Sequence, residues 1–329
     1  MYLAGFHVDP FSLGGGFGGA LVVHPNGDTL LFHDDRLPDS VLLAHASKVN
    51  VVDWYDGIRP PDGLRALAIF SALEKAGLGS TIHDRPESAS GKKIHQVLSD
   101  LRRAKDADEI ALVKKCVAAA EAGHAWALEN IRAGLTEMEV YAGVQNECAL
   151  QAGRAVVVYG DFAESPGPER KGGPPTDRFL LDGDMFILDF SVVLGGYRCD
   201  FTNTIVVGGR ANKDQARLLE VALKAMAAGE GELRPGAACS MVYAAVKGEM
   251  EKAGMGGHFP HHAGHGIGLA HPEAPFIVPH SQETLVPGDI ITLEPGLYVS
   301  GVGGLRIERN YLITQVGFEC LTSHEITLT

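Results

Sequence analysis

Two stretches of the 329-residue chain repeat one another in order, and this repetition narrows the folds open to it. Ile131-Arg132-Ala133-Gly134, Val140-Tyr141-Ala142 and Ala152-Gly153 return as Leu233-Arg234-Pro235-Gly236, Val242-Tyr243-Ala244 and Ala253-Gly254, offset by 102 and then 101 residues. Gly183-Asp184 through Leu188-Asp189 returns as Gly288-Asp289 through Leu293-Glu294, offset by 105. Gly195-Gly196-Tyr197-Arg198-Cys199-Asp200 returns as Gly303-Gly304-Leu305-Arg306-Ile307-Glu308, offset by 108. The period is far longer than that of a solenoid. Each copy reads helix, helix, strand, strand, so residues 101–329 form one domain of two related halves, of α/β (α+β) class. Each half places two carboxylates on its pair of strands.

Residues 1–100 read as a separate small α/β domain. Leu21–His24 and Thr29–Phe32 flank Asn26-Gly27, which predicts a hairpin because Asn-Gly accepts the positive φ of a tight turn. A helix is predicted near Leu64 to Lys75, ending before Gly77. The polar stretch 84–93 reads as a loop. Asp106 and Glu109 form a capping box that opens a helix carrying Ile110, Val113, Val117, Ala120 and His124 on one side.

The four repeated carboxylates point to metal. Asp189 ends the apolar run Met185–Leu188, Asp200 heads the run to Val207, Glu294 ends Ile290–Leu293 and Glu308 lies within Leu305–Ile313. Strands this apolar are buried, where an unpaired carboxylate is costly. A single acid at a strand end would simply reach solvent. Four at duplicated positions repel one another unless a cation neutralises them, and two divalent ions would cancel four charges. Six of the fourteen histidines fall between His258 and His280, and Gly264-His265-Gly266-Ile267-Gly268 is too rich in glycine for a helix interior. That segment reads as an extended approach of backbone to a site, while His258, His262 and His280 read as solvated loop residues. No helical HExxH zinc pattern is present.

These motifs together resemble the pita-bread metallopeptidases (creatinase/aminopeptidase-like), a family that includes Xaa-Pro dipeptidases (prolidases), aminopeptidase P and methionine aminopeptidase. The resemblance covers about residues 100–329 and implies a pita-bread domain with metal ligands Asp189, Asp200, His265, Glu294 and Glu308. The 14-residue spacing from Glu294 to Glu308 resembles the proline-directed branch. It further implies that Asp200 and Glu308 bridge two divalent ions, with Asp189 completing one site and His265 and Glu294 the other. The donor set favours manganese, with zinc or cobalt also fitting. Such a pair would activate a shared water for attack on the scissile carbonyl, with Glu294 as proton carrier. The expected substrate is a small peptide with proline after the scissile bond. An Xaa-Pro dipeptidase leads, with an aminopeptidase P-like enzyme and a non-catalytic binding module on the same scaffold as alternatives. A homodimer is expected.

The outer residues follow less directly. His261 matches a substrate-side histidine, and His271 is a candidate catalytic and substrate-binding histidine, six residues after His265 and followed by Pro272. Arg306 matches an arginine that can meet a substrate carboxylate, or that can equally order the ligand carboxylates by ion pairing. Thr202 is a candidate support for a ligand. One departure stands out: in Lys171-Gly172-Gly173-Pro174-Pro175-Thr176, Gly172 takes the place of a substrate-site histidine.

The remaining signals exclude other classes. A net charge of −13 disfavours nucleic-acid partners. No apolar run approaches the ~18 residues of a membrane span, and the first residues lack the pattern of a signal peptide. Five cysteines without a CxxC pair suit a reducing, cytoplasmic setting. Gly14-x-Gly16-x-x-Gly19 has no strand before it and reads as a loop rather than a dinucleotide site. Cys199 should face away from Asp200 by strand alternation.

Overall fold

The structure is a computed structural model and describes residues 2–11, 18–34, 44–61, 63–78 and 87–329. Two compact units emerge, Met1–Leu98 and Ser99–Thr329. In the first unit β1 (Ala20–Val23) and β2 (Thr29–Asp34) pair antiparallel around the Asn26-Gly27 turn, with Gly27 at φ 90°. β3 (Lys48–Val52) adds parallel to β2. α1 (Ala68–Lys75) buries Ile69 and Leu73 against Val22, Phe32 and Val52. Gly14 and Gly16 lie outside the described residues.

The predicted loop 84–93 needs correction. Its first three residues lie outside the described residues, but α2 (Ala89–Arg103) begins inside it. The Ser88 hydroxyl accepts the Gly91 amide at 2.8 Å, so a residue type that also signals turns serves here as a helix cap.

The second unit repeats one plan twice. In its first half, α3 (Ala107–Asn130) and α4 (Glu137–Ala152) are both opened by capping boxes, Asp106 with Glu109 and Thr136 with Glu139. β4 (Val157–Glu164), β5 (Met185–Leu194) and β6 (Tyr197–Arg198) follow, and β7 (Phe201–Val206) pairs with β5. In the second half come α5 (Lys213–Glu230), α6 (Cys239–Lys252), β8 (Gly264–Gly266), β9 (Glu273–Ile277) and β10 (Ile290–Leu293). β11 (Gly296–Val299), β12 (Gly303–Arg306), β13 (Arg309–Ile313) and β14 (Phe318–Cys320) complete it. Its main sheet runs β14-β13-β10-β8-β9.

Strand alternation sorts the residues of β5. Phe186, Leu188, Phe190 and Val192 enter one core with Val113, Val117, Val140 and Val144 of the helices. Asp189 and Ser191 are left on the opposite face. In the second half Ile291 and Leu293 pack with Leu218, Val221, Val242 and Val246 in a matching core. Helices therefore cover the outer faces, and the polar strand residues converge between the halves.

Candidate metal centre

The expected strand positions of the acids hold only in part. Asp189 sits within β5, opposite Thr202 of β7. Asp200 lies just before β7, and Glu294 just after β10, where Pro295 withdraws a backbone donor. Glu308 falls in the break between β12 and β13 rather than inside a continuous strand. His265 is the middle residue of β8. These five side chains form overlapping groups whose ligand atoms lie within 4.8 Å of one another: Asp189, Asp200 and Glu308 in one, His265, Glu294 and Glu308 in the other. Glu308 belongs to both.

Local bonding turns these atoms inward. Thr202 Oγ1 donates to Glu308 Oε2 at 2.7 Å, and Glu308 Oε1 is buried with no hydrogen-bond partner among the described residues. The Thr202 carbonyl accepts the Glu308 amide at 2.9 Å, so the same residue fixes backbone and side chain. Ser191 Oγ donates to Asp200 Oδ1 at 3.1 Å. The Gly266 carbonyl accepts His265 Nδ1–H at 3.0 Å, leaving the lone pair of Nε2 directed at Glu294 Oε1, 3.4 Å away, and Asp200 Oδ2, 3.8 Å away. Thr292 Oγ1 accepts the His265 amide and donates to Glu294 Oε1 at 3.3 Å. β8 can lie this close to β10 because Gly264 has no side chain: a Cβ there would run into the Thr292 carbonyl.

The crowding has an electrostatic signature. Burial, then the charges of Asp200, Glu294 and Asp189, push Glu308 well above the carboxylate range, against the opposing Thr202 hydroxyl. Burial raises Asp189 to about 7 despite the charge of Arg306, with Asp200, Asp161 and Glu294 adding to the rise. Burial would also raise Glu294, but contact with His262 and the charges of His262, His265 and His261 hold it at about 2. A cluster in which some acids are driven to keep protons is one that a multivalent cation would relieve. The orphaned Glu308 oxygen and the hard, mostly carboxylate donor set fit such an ion.

The outer residues line a cavity of about 440 Å³ with the four acids and the imidazole. That is within the ~300–1,000 Å³ usual for small-molecule sites. His271 Nε2 lies 2.7 Å from Asp200 Oδ2, and Asp200 by hydrogen bond and charge outweighs burial to raise the imidazole. His261 is lowered to about 4, mainly by burial; the His262 carbonyl accepts its Nδ1–H at 2.7 Å and its Nε2 is buried without a partner. His262, expected in a solvated loop, instead lines the cavity with Nδ1 3.1 Å from Glu294 Oε1.

Arg306 spends its whole guanidinium on the protein. Nε donates to Asp189 Oδ2 at 2.8 Å, Nη1 donates to Tyr298 Oη at 2.7 Å and to the Lys171 carbonyl at 3.2 Å, and Nη2 bonds Asp189 and Asp161. That is the ion-pairing alternative for this residue. Asp161 and Tyr298 were not visible as site residues in the sequence, because only the pairing of β4 beside β5 brings Asp161 opposite Asp189. Gly172 is explained at the same place: a Cβ on it would collide with the Asp161 carboxylate. Cys199 is buried in the first-half core, as alternation required, and burial pushes its thiol well up.

Residues 111–315 match metallopeptidase family M24. The chain belongs to this family. It is 34% identical over 237 residues to an uncharacterized peptidase of Staphylococcus epidermidis, covering 70% of this chain and 66% of that protein's length. It is 32% identical over 239 residues to an Xaa-Pro dipeptidase of Pyrococcus furiosus, covering 71% of this chain and 67% of that protein. The crystal structure of a prolidase from Pyrococcus horikoshii superposes with a TM-score of 0.77 at 24% identity, covering 100% of this chain and 92% of the other. The fold of this M24 chain is thus the pita-bread fold of that prolidase. Among the described residues no helix is long and apolar enough to cross a membrane.

Proposed function

We propose that this M24 metallopeptidase is a dinuclear-metal Xaa-Pro dipeptidase. The observation that carries the reading is the sharing of Glu308 between two ligand groups, one buried and one buried but for the half-buried Asp189. Asp189, Asp200 and Glu308 would hold one ion, His265, Glu294 and Glu308 the other, with Asp200 as second bridge. Four carboxylates and one imidazole favour manganese over zinc or cobalt. The likeness to an Xaa-Pro dipeptidase supports the choice of substrate. A homodimer in the cytoplasm completes the reading.

When bound, the ions supply Lewis acidity, activating water near neutral pH and polarising the scissile carbonyl. The chain's own groups do the rest. Glu294 stands ionised, beside His262, to receive a proton and pass it to the leaving nitrogen. His271 and His261 line the cavity; His271 offers a ring N–H donor to the carbonyl oxygen as it gains charge, while His261, whose Nδ1–H goes to the His262 carbonyl, presents Nε2 to the substrate as an acceptor. Arg306 anchors Asp189 through two of its nitrogens and so fixes a ligand rather than the substrate.

The test is a product assay on Ala-Pro and Ala-Pro-Ala using chelator-stripped protein with and without added Mn²⁺. Hydrolysis should vanish on stripping and return with Mn²⁺, at two ions per chain, with Ala-Pro the better substrate. Full activity in verified metal-free protein would end the dinuclear reading. Preference for Ala-Pro-Ala would move the enzyme to the aminopeptidase P type.

A further inference from the structure

A dipeptidase must recognise a free carboxylate one residue beyond the scissile bond, close to the reacting centre. This inference rests on the dipeptidase reading and asks which group supplies the positive charge. Arg306 is excluded by its bonding, because each of its nitrogens already donates to Asp189, Asp161, Tyr298 or the Lys171 carbonyl. The imidazoles lining the cavity are also engaged: His262 faces Glu294, His265 faces Glu294 and Asp200, and His271 faces Asp200. His261 gives its Nδ1–H to the His262 carbonyl, and its Nε2 is buried. The other cation on the cavity wall among the described residues is Lys171, whose side chain is exposed and makes no ion pair.

The backbone around Lys171 is nonetheless fixed. On one side Arg170 is held by a two-point ion pair to buried Glu137, both contacts at 3.0 Å, and its carbonyl accepts Ser165 Oγ at 2.5 Å. On the other side the Gly173 carbonyl accepts the Phe162 amide at 2.9 Å. The Lys171 carbonyl itself accepts Arg306 Nη1. Lys171 thus stands on a pinned backbone at the wall of the site, its ammonium in no ion pair with any described residue. We propose that Lys171 is the substrate-carboxylate anchor, a specificity-determining residue that makes this site select peptides ending one residue past the scissile bond.

The experiment compares metal-loaded wild type, Lys171→Met and Lys171→Arg on Ala-Pro and on its C-terminal amide, resolving kcat from KM. Loss of a charge-assisted contact should raise KM for Ala-Pro about tenfold in Lys171→Met while kcat holds. KM for the amide should not move, and Lys171→Arg should recover most of the loss. The wild-type KM for Ala-Pro should also climb with added salt, as screening weakens an exposed charge contact. An unchanged Ala-Pro KM in Lys171→Met, or an equal rise on acid and amide, overturns the assignment while leaving the dipeptidase intact. A wild-type enzyme that cleaves Ala-Pro-Ala but not Ala-Pro overturns the dipeptidase reading, and the anchor with it.

Discussion

Arg306 shows how one side chain can carry two readings in sequence and one in space. Two residues before Glu308, it suited either a substrate carboxylate or the ligand acids. Its contacts to Asp189, Asp161 and Tyr298 describe a bracket for the centre. Lys at this position would keep the charge but lose the planar fork that spans the two carboxylates. Arg306→Lys should therefore lower metal occupancy, and reduce turnover of Ala-Pro and Ala-Pro-Ala by the same factor. A selective loss on the dipeptide would instead make Arg306 a substrate contact. The histidines divide by a similar test. His265 turns its Nε2 toward two candidate ligands, whereas His271 sits nearer solvent on the Asp200 edge. His265→Ala should lose metal. His271→Ala should keep both ions and lose kcat by about a hundred- to a thousand-fold, matching the ~2.7–4 kcal/mol of one preorganised donor. Metal analysis beside kcat separates the two outcomes, and metal loss in His271→Ala would make it a ligand.

At the scale of elements, the two halves are stitched together through β7. Thr204 Oγ1 donates to the Arg306 carbonyl at 2.9 Å and accepts the Arg306 amide at 3.0 Å. Asn310 Oδ1 accepts the Asp200 amide at 3.1 Å, and Thr202 meets Glu308 by backbone and side chain. Thr202→Val keeps the shape but leaves both Glu308 oxygens unpaired. Metal affinity, measured by competition with a chelator dye, should fall about 10–100-fold, the usual effect of removing a ligand's support. Unchanged affinity would show the hydroxyl to be dispensable. This stitching also marks where sequence reasoning stops. The repeat, the capping box of Asp106 with Glu109 and the clustering of the five candidate donors were legible because each is a local pattern of spacing. The register was not: the β10–β13 ladder stops at Leu293 and Arg309, one step short of Glu294 and Glu308, while Asp189 lies inside its ladder opposite Thr202. Equivalent acids thus occupy different places on their strands. Asp161 was invisible for the same reason, since it stands in no motif and only strand pairing brings it opposite Asp189, while Lys171 stood in a quoted stretch whose reading turned on its neighbour Gly172. α2 was missed because Ser88 is as good a helix cap as a turn former.

For the molecule as a whole, a buried histidine pair outside the centre ties stability to pH. His124 of α3 and His324, which follows β14, meet edge to face at 5.0 Å, and His324 stacks on Phe201 at 4.3 Å. His124 Nε2 and both ring nitrogens of His324 are buried without hydrogen-bond partners among the described residues. Burial holds His124 at about 4. Burial, with the charges of His124 and Arg309, holds His324 at about 3. Both lie below the ~6.5 of an unfolded histidine. Above that pH the rings are neutral in both states, and the stability they permit is fully present. As pH falls from ~6.5 toward 4, the unfolded chain takes up protons that the folded chain refuses, so stability drops by up to about 1.4 kcal/mol per pH unit for each ring. Asp189, raised to about 7, works in the opposite direction across this whole window in metal-free protein, so the comparison must be made at one metal state. The paired change His124→Leu and His324→Leu should flatten the fall of melting temperature between pH 6.5 and 4 relative to wild type, whatever repacking does to its value at pH 7. The slope is the readout, because a cavity or overpacking shifts stability equally at every pH, whereas proton linkage acts only where the unfolded histidines titrate. Parallel curves for the two proteins would mean that the pair protonates in the folded state after all, and that acid sensitivity arises elsewhere.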